Sequence, residues 1–222
     1  MVAIDGPAGS GKSTVARGVA DALGLEVLDT GAMYRAVTLL ALEAGFDLGD
    51  GEAITGAAER ARLELGDPPG SVRVDGREVS REIRGPAVSA AVSQVSSHPG
   101  VRALLRRRQR EWAEQRGGGV VEGRDIGTVV FTDAPLKIFL TASDDERARR
   151  RHRDEHAAAR PADLDSVRDA VDRRDALDHR TTPLAPAADA VVIDTTGRTV
   201  DDVVDEIVER WRSSVAPSES GR

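Results

Sequence analysis

The sequence has no cysteine, so neither a disulfide framework nor a thiolate metal site can form. Its four histidines are too scattered along the chain to suggest a zinc site, and any metal is therefore expected to be bound by oxygen atoms. No apolar run approaches the ~20 residues that a membrane-spanning helix needs. No basic leader precedes the first apolar segment either. We therefore expect a cytoplasmic protein with no membrane partner.

Lysine is nearly absent, because all basic residues except Lys12 and Lys137 are arginines. Lys12 stands where a compact, flexible ammonium suits the chemistry better than a rigid guanidinium. Lys137 lies beside a predicted strand, and we expect it at the surface. The net charge of −7 argues against a dedicated nucleic-acid binder, because such proteins usually present a strongly basic surface. We expect small-molecule substrates, no nucleic acid, and a monomer.

Short apolar runs alternate with helical patterns at both ends of the chain. Such alternation builds βαβ units, so it predicts an α/β fold with a parallel sheet flanked by helices. At 222 residues, one domain with an insertion is expected rather than two domains. The predicted strands are 2–5, 25–29, 120–123, 136–141 and 190–194, and the predicted helices are 14–23, 32–44 and 200–211.

The middle of the chain, 46–116, has a different pattern, which predicts an inserted lobe. Asp75 and Gly76 stand between alternating apolar and polar residues and indicate a hairpin turn. The dipeptide Pro99-Gly100 separates two helical stretches. The predicted elements of the lobe are helices at 52–62, 87–97 and 101–115 and a hairpin at 71–79.

Segment 143–179 is charged and mostly helical, with a break at Arg160-Pro161 and little apolar surface to bury. A mobile lid fits this composition, and a solvated helical hairpin fits it equally well. We therefore expect a single domain, 1–222, with a core, an insert, a lid and a disordered tail. The core is assigned to 1–45, 117–142 and 180–212, the insert to 46–116, the lid to 143–179 and the tail to 213–222.

A phosphate-binding loop follows the first strand and opens the first helix. It matches the pattern G-x-x-x-x-G-K-[ST] in full, with Lys12 and Ser13 at its end. Glycines let successive backbone amides converge on phosphate oxygens, and the helix N-terminus adds partial positive charge. Lys12 is expected to neutralise the β- and γ-phosphates of ATP, and the Ser13 hydroxyl to bind Mg²⁺. The predicted ATP-binding residues are Gly6, Pro7, Ala8, Gly9, Ser10, Gly11, Lys12, Ser13 and Thr14.

The phosphate loop alone does not identify what receives the phosphate. A guanine-reading N-K-x-D element is impossible, because the chain has no asparagine. Motor ATPases end an apolar strand with an Asp-Glu pair, and no predicted strand does so. Asp194 comes closest, but Thr195 follows it.

Arginines suited to hold a second set of phosphates lie outside the loop. Phosphoryl transfer between two nucleotides gathers about seven negative charges, so positioning and charge neutralisation are the main tasks of the protein. The planar guanidinium binds phosphate oxygens in pairs. The candidates are Arg35, Arg102, Arg124, Arg174 and Arg180.

Over almost its whole length the sequence resembles the bacterial cytidylate kinases, which are P-loop nucleoside monophosphate kinases. Several stretches carry this resemblance, and together they are far more specific than the phosphate loop. They are IDGPAGSGKS at 4–13, LDTGAMYR at 28–35, VSREIR at 79–84, SQVS at 93–96, EGRDIGTVVF at 122–131 and RRDALD at 173–178.

The resemblance implies an enzyme that uses ATP and Mg²⁺ to phosphorylate CMP, and also dCMP, with 46–116 as its monophosphate-binding insert. It implies that Ser93, Arg102 and Asp125 read the cytosine edge and that Arg174 and Asp178 contact the sugar. It further implies that Arg35, Arg124 and Arg180 clamp the acceptor phosphate, with Lys12, Arg124 and Arg180 acting in catalysis. Thr30 and Tyr34 complete the predicted CMP-binding set.

The sequence departs from the family pattern after Asp178. There the family usually continues Ser-x-Arg and three more residues before Pro-Leu, whereas here four residues, 179–182, separate Asp178 from Pro183. Two residues are missing, which shortens the return of the lid and puts the role of Arg180 in doubt.

Two other readings of the sequence stay open. One is a P-loop kinase that acts on adenylate, uridylate or a non-nucleotide acid. The other is a nucleic-acid-binding or regulatory ATPase that uses its arginine-rich helices on RNA. For the kinase we expect direct in-line transfer, with lid arginines among Arg147, Arg149, Arg150, Arg151 and Arg153 that stabilise the transferring group.

Overall fold

A computed structural model describes residues 1–66, 70–157, 163, 166–169, 176 and 184–215 of the chain. The central sheet has five parallel strands in the order β2-β6-β1-β7-β8. Its strands are β1 (Val2–Asp5), β2 (Val27–Asp29), β6 (Val120–Gly123), β7 (Leu136–Thr141) and β8 (Val191–Asp194). A separate antiparallel sheet contains β3 (Leu63–Leu65), β4 (Val72–Val74) and β5 (Arg77–Glu78).

Helices cover the described part of the central sheet on both faces. They are α1 (Lys12–Leu23), α2 (Thr30–Glu43), α3 (Gly51–Arg60), α4 (Pro86–Ser97), α5 (Pro99–Arg116), α6 (Asp144–Ala157) and α7 (Val200–Val215). A 3₁₀ turn at Glu82–Arg84 precedes α4, and a π-helical turn at Ile126–Val130 follows β6. In the residues described, no helix is both long and apolar enough to cross a membrane.

Two apolar clusters lie against the central sheet, one on each face. On one face, Val15 and Val19 of α1 pack with Ile207 of α7 against residues of β1 and β7. On the other face, Leu28 of β2 and residues of α2, α3 and α5 surround Leu105, which is completely buried. The sheet is therefore buried on both faces, as a parallel sheet normally is.

The predicted α/β fold with a helix-flanked parallel sheet is confirmed. The strands predicted at 120–123 and 136–141 have those bounds, and the hairpin turn lies at Asp75 and Gly76, both with positive φ. The closing helix, which we expected to end at 211, continues to Val215, so it enters the predicted tail; 216–222 lie outside the described residues.

The prediction that Lys137 lies at the surface is wrong, because its side chain is buried. Its ammonium lies 2.9 and 2.7 Å from the two carboxylate oxygens of Asp189 and also donates to the carbonyl of Thr132. Position 137 belongs to β7, and every β7 residue up to Leu140 is buried. The polar side chain therefore needs internal partners, since an unpaired buried charge is costly.

Helix α7 should contribute to the stability of the core through Ile207, which is completely buried between α1 and the sheet. We expect Ile207→Ala to lower the free energy of unfolding by about 3 kcal/mol, because it removes buried methyl groups and leaves a cavity. Val200→Ala, at a 43% exposed position of the same helix, should change it by less than about 0.5 kcal/mol. Urea unfolding measures the free energy of unfolding of both variants. An equal decrease in the two variants would show that α7 is not packed as described.

Candidate active site

The phosphate loop runs between β1 and α1 and depends on its glycines. Gly9 and Gly11 have φ of 76° and 91°, which side chains rarely adopt. At Gly6, with φ 149°, an added Cβ would lie 2.1 Å from the carbonyl oxygen of Leu140. The glycines therefore let the loop turn tightly against β7.

Lys12 and Ser13 begin α1 at the end of this loop. Lys12 is only 6% exposed, and its ammonium donates to the carbonyl of Pro7 at 2.8 Å, so it lies folded over the loop. The hydroxyl of Ser13 donates to a carboxylate oxygen of Glu122, at the end of the neighbouring strand β6. The two side chains that were predicted to meet the phosphates and Mg²⁺ thus lie together on the loop.

Glu122 is the main acidic group of this part of the site. Burial, and after it the negative charge of nearby Asp29, raise the pKa of Glu122 to about 7. The positive charges of Lys12 and Arg124 and the Ser13 hydrogen bond act in the opposite direction. A carboxyl group held here titrates close to neutral pH, so its charge responds to any cation that enters the site.

The donor set around Ser13 fits a magnesium ion. Hydroxyl and carboxylate oxygens are the protein ligands that Mg²⁺ prefers, and it usually keeps waters and substrate phosphates as the other ligands. Among the described residues no group of three or more His, Cys, Asp or Glu side chains could hold a metal without other ligands. Ser13 and Glu122 therefore fit an ion that arrives with the nucleotide.

The chain leaves β6 into a rigid turn. The carboxylate of Asp5, at the end of β1, accepts hydrogen bonds from the backbone amides of Ile126 at 2.8 Å and Gly127 at 2.7 Å. Burial raises the pKa of Asp5 in spite of these two bonds. The hydroxyl of Thr30 donates to the carbonyl of Glu122 at 2.7 Å. Residues 124 and 125 are thus fixed between two strands and the start of α2.

Asp125 and Arg102 form a buried ion pair. Their closest atoms, Oδ2 and Nη2, are 2.6 Å apart, and Arg102 Nη1 also donates to the carbonyl of Ser96 at 3.4 Å. Ser96 accepts this bond one turn after Ser93 on α4, and its own hydroxyl donates to the carbonyl of Ser93. The structure therefore pairs two of the three predicted base-reading residues, Arg102 and Asp125, and Ser93 lies on the neighbouring helix α4, one turn before the Ser96 carbonyl that Arg102 contacts.

Tyr34 lies next to this group. Burial raises the pKa of its hydroxyl, and the charges of Arg102, Asp125 and Arg106 also act on it. The ring packs against the core cluster on the same face of the sheet. Tyr34 thus packs in the core beside the Arg102–Asp125 pair, and its contact with the acceptor stays a prediction.

Two of the three predicted phosphate-clamp residues, Arg35 and Arg124, lie among the described residues. Arg35, on α2, donates to the carbonyl of Ile83 at 3.1 Å and to the hydroxyl of Ser89 at 3.0 Å, so it joins α2 to the insert. Arg124 is half-buried at the end of β6, where its charge acts on Glu122. The predictions for Arg174, Asp178 and Arg180, and the shortened segment after Asp178, lie outside the described residues.

Two of the lid arginines bind the phosphate loop in this structure. Arg147 Nη1 donates to the carbonyl of Ala8 at 3.1 Å, and Arg150 Nη1 donates to the carbonyl of Ser10 at 3.2 Å. Arg150 also donates to the backbone of Thr195 after β8 at 2.7 Å. We expected lid arginines to reach the transferring group; here these two support the backbone of the loop, while Arg149 and Arg153 are exposed.

Sequence reasoning missed Glu122 and Arg106. Glu122 is an acidic residue at the carboxyl end of an apolar strand, and that position could have identified it. Arg106 Nη2 lies 3.0 Å from Asp125 Oδ2, one helical turn after Arg102. Its place among the successive arginines of α5 gives no such signal in the sequence.

Comparison with known proteins gives the family of this chain. The family model described as cytidylate kinase matches residues 2–213. The chain belongs to the cytidylate kinase family. The resemblance stated from the sequence is thereby confirmed.

Cytidylate kinases from several bacteria align along most of the chain. A cytidylate kinase of Mycolicibacterium paratuberculosis is 53% identical over 222 residues, with 97% of each chain covered. One of Geobacillus kaustophilus is 49% identical over 213 residues, with 94% of each chain covered. A solved structure of an uncharacterized protein from Eubacterium ventriosum has a TM-score of 0.50 and 15% identity, covering 96% of this chain and 97% of its own, and shares the fold alone.

The raised pKa of Glu122 predicts a pH-dependent stability for this family member. The folded chain binds the proton more tightly than the unfolded chain, whose carboxyl has the ordinary value of 4.5. Protonated Glu122 therefore adds to the free energy of unfolding of the wild type, and this contribution should be lost as the pH rises from about 4.5 to about 7. Since glutamine cannot ionise, Glu122→Gln should gain stability relative to wild type across this window, by about 3 kcal/mol in total.

Urea unfolding from pH 5 to pH 8, without nucleotide or Mg²⁺, measures this difference. The exposed Glu114 gives the matched control, and Glu114→Gln should follow wild type at every pH. A Glu122→Gln difference that stays constant with pH would contradict the raised pKa.

Proposed function

We propose that this chain transfers the γ-phosphoryl group of ATP to CMP, and to dCMP. The observation that carries the proposal is the place of the Arg102–Asp125 ion pair. Asp125 stands three residues after Glu122, which bonds to Ser13 of the phosphate loop. In a member of the cytidylate kinase family, a base-reading pair so close to the phosphate loop supports a nucleotide as acceptor.

On the donor side, the loop amides and the N-terminus of α1 would hold the β- and γ-phosphates. The ammonium of Lys12 would exchange its bond to Pro7 for bonds to phosphate oxygens. Because the ammonium is compact and mounted on a flexible chain, this exchange needs only side-chain rotation. Lys12 would then neutralise charge that builds up between the β- and γ-phosphates during transfer.

The Ser13 hydroxyl and the Glu122 carboxylate would hold Mg²⁺, Ser13 as a direct ligand and Glu122 directly or through a water. When bound, the ion would supply positive charge that partly neutralises the phosphates. Glu122 would hold no proton in that state, since a cation nearby favours the ionised carboxylate. Ser13 could then turn its lone pairs to the ion and its proton to another acceptor.

On the acceptor side, Asp125 and Arg102 offer opposite hydrogen-bonding groups. A carboxylate oxygen can accept from the exocyclic amine of cytosine, and a guanidinium can donate to the ring nitrogen and the carbonyl. Ser93 would complete this set. Arg35, Arg124 and Arg180 would hold the acceptor phosphate, and Arg174 and Asp178 the sugar, with Thr30 and Tyr34 beside the nucleotide. These roles rest on the family resemblance at each position.

Transfer would then be a single in-line step. A phosphate oxygen of CMP attacks the γ-phosphorus, a new P–O bond forms, and the bond to the β-phosphate oxygen breaks to release ADP. Closure of the insert and the lid would exclude water, which otherwise could accept the phosphoryl group. Arg147 and Arg150 would keep the loop backbone in place during this step.

The division of the chain into core, insert and lid stays a proposal, as does action as a monomer in the cytoplasm. The second sheet supports the insert, because β3, β4 and β5 lie outside the central sheet and within 46–116. Helix α6 supports the lid, because its arginines reach the phosphate loop from 143–179.

A kinetic comparison of acceptors tests the proposed function. Purified enzyme with ATP and Mg²⁺ should phosphorylate CMP with a kcat/KM at least about tenfold above those for UMP, AMP and GMP. Of these four bases only cytosine presents, on one edge, an amine for Asp125 followed by two acceptors, a ring nitrogen and a carbonyl, for Arg102. Asp125→Ala should reduce this preference while leaving the KM for ATP unchanged.

A preference for AMP, or equal rates with every acceptor, would contradict the proposal. The same assay without any monophosphate but with added RNA examines the alternative of an RNA-dependent ATPase. RNA-stimulated ATP turnover in the absence of CMP would favour that alternative, and no stimulation is expected.

A further inference from the structure

Asp125 is held by two guanidinium groups rather than one. Arg102 Nη2 lies 2.6 Å and Arg106 Nη2 3.0 Å from the same carboxylate oxygen, Oδ2. The two arginines are four residues apart on α5, so they project from the same face of the helix. The ion pair is largely enclosed, since the side chain of Asp125 is 9% exposed and that of Arg102 is 14% exposed.

The two bonds leave the second carboxylate oxygen open. Both arginines bond to Oδ2, and within the described part of the chain Oδ1 of Asp125 accepts no hydrogen bond. A carboxylate with one oxygen fixed by two donors cannot rotate without breaking both bonds. The direction of the Oδ1 lone pairs is therefore set by Arg102 and Arg106 together.

Arg106 makes few other contacts that would explain its position. Its Nε is buried and has no hydrogen-bond acceptor among the residues described. Neighbouring arginines of α5 point elsewhere: Arg107 pairs with Glu59 and Glu111, and Arg110 donates to the carbonyls of 129 and 130. Burying an unpaired donor is unfavourable. The contact with Asp125 is thus the interaction that offsets this cost.

We propose that Arg106 is a positioning residue for base selection, which holds Asp125 by Oδ2 so that Oδ1 faces the exocyclic amine of the acceptor base. This inference rests on the proposed function. When Arg102 turns one nitrogen toward the base, its bond to Asp125 weakens, and Arg106 keeps the carboxylate in place. Arg102 can thus donate to the base without releasing the group that accepts from it.

Because Arg106 holds Asp125 while Arg102 donates to the base, the two arginines together affect discrimination between CMP and UMP. Cytosine presents an amine donor where uracil presents a carbonyl acceptor. A fixed acceptor oxygen on Asp125 attracts the first and repels the second, whereas a carboxylate that can rotate away tolerates both. Loss of Arg106 should therefore reduce selectivity more than it reduces catalysis.

Arg106→Leu tests the proposal, because leucine keeps the apolar stem and removes the guanidinium. The ratio of kcat/KM for CMP to that for UMP should fall about tenfold, a change of about 1.4 kcal/mol in relative transition-state binding. The loss should lie in KM for CMP, with KM for ATP unchanged. Arg107→Leu is the matched control; its side chain is 57% exposed on the same helix, and its ratio should equal that of wild type.

The outcomes separate the two proposals. Wild-type enzyme that does not phosphorylate CMP would overturn the proposed function before the variant is compared. If wild type is active and folded Arg106→Leu keeps the wild-type ratio, or loses CMP and UMP activity equally, Arg106 has only a structural role and the inference is wrong. Thermal melting establishes folding; if Arg106→Leu does not fold, Arg106→Gln replaces it in the same comparison.

Discussion

The buried carboxyl end of strand β6 is the point to which both halves of this site are attached. Glu122 bonds to Ser13 of the phosphate loop, and three residues later Asp125 bonds to Arg102 of helix α5. Between them, Asp5 of β1 fixes the turn by accepting from the amides of Ile126 and Gly127. In the proposed function, the backbone of residues 122 to 125 therefore sets the position of the donor phosphate relative to the acceptor base.

The charges at this strand end differ between its two sides. Glu122 and Asp29 lie near each other on the donor side, where burial and mutual repulsion disfavour the ionised form of Glu122. On the acceptor side one carboxylate, Asp125, faces two guanidinium groups. The first side therefore favours a cation, whereas on the second side the two guanidinium groups balance Asp125 with one positive charge in excess.

Patterns of apolar residues and the phosphate loop were enough to predict the fold. The bounds of β6 and β7 and the turn at Asp75 and Gly76 follow from local sequence, since each depends on backbone preference or burial period. Strand β3 was missed because its three residues are too few for a clear alternation, and its pairing with β4 depends on the tertiary fold.

The site was predictable to the extent that it uses family motifs. The phosphate-loop pattern identified Lys12 and Ser13, and the family resemblance identified Arg102 and Asp125, which form an ion pair in the structure. Glu122, Arg106 and the buried Lys137 were not foreseen, because each acquires its role from a partner far away in sequence: Ser13, Asp125 and Asp189. The residues next to a charged side chain in the sequence do not identify such a distant partner. Only the folded structure brings the two together.

The central claim is that the phosphoryl group passes directly between two adjacent substrates at the end of β6. The most direct test is the configuration at phosphorus after transfer. ATP made chiral at the γ-phosphorus with oxygen isotopes and sulfur is turned over with CMP, and the configuration of the transferred group is determined. A single in-line displacement between adjacent sites inverts the configuration. Inversion is the predicted result; retention would mean that the group passes through a covalent enzyme intermediate, and it would contradict direct transfer across the end of β6.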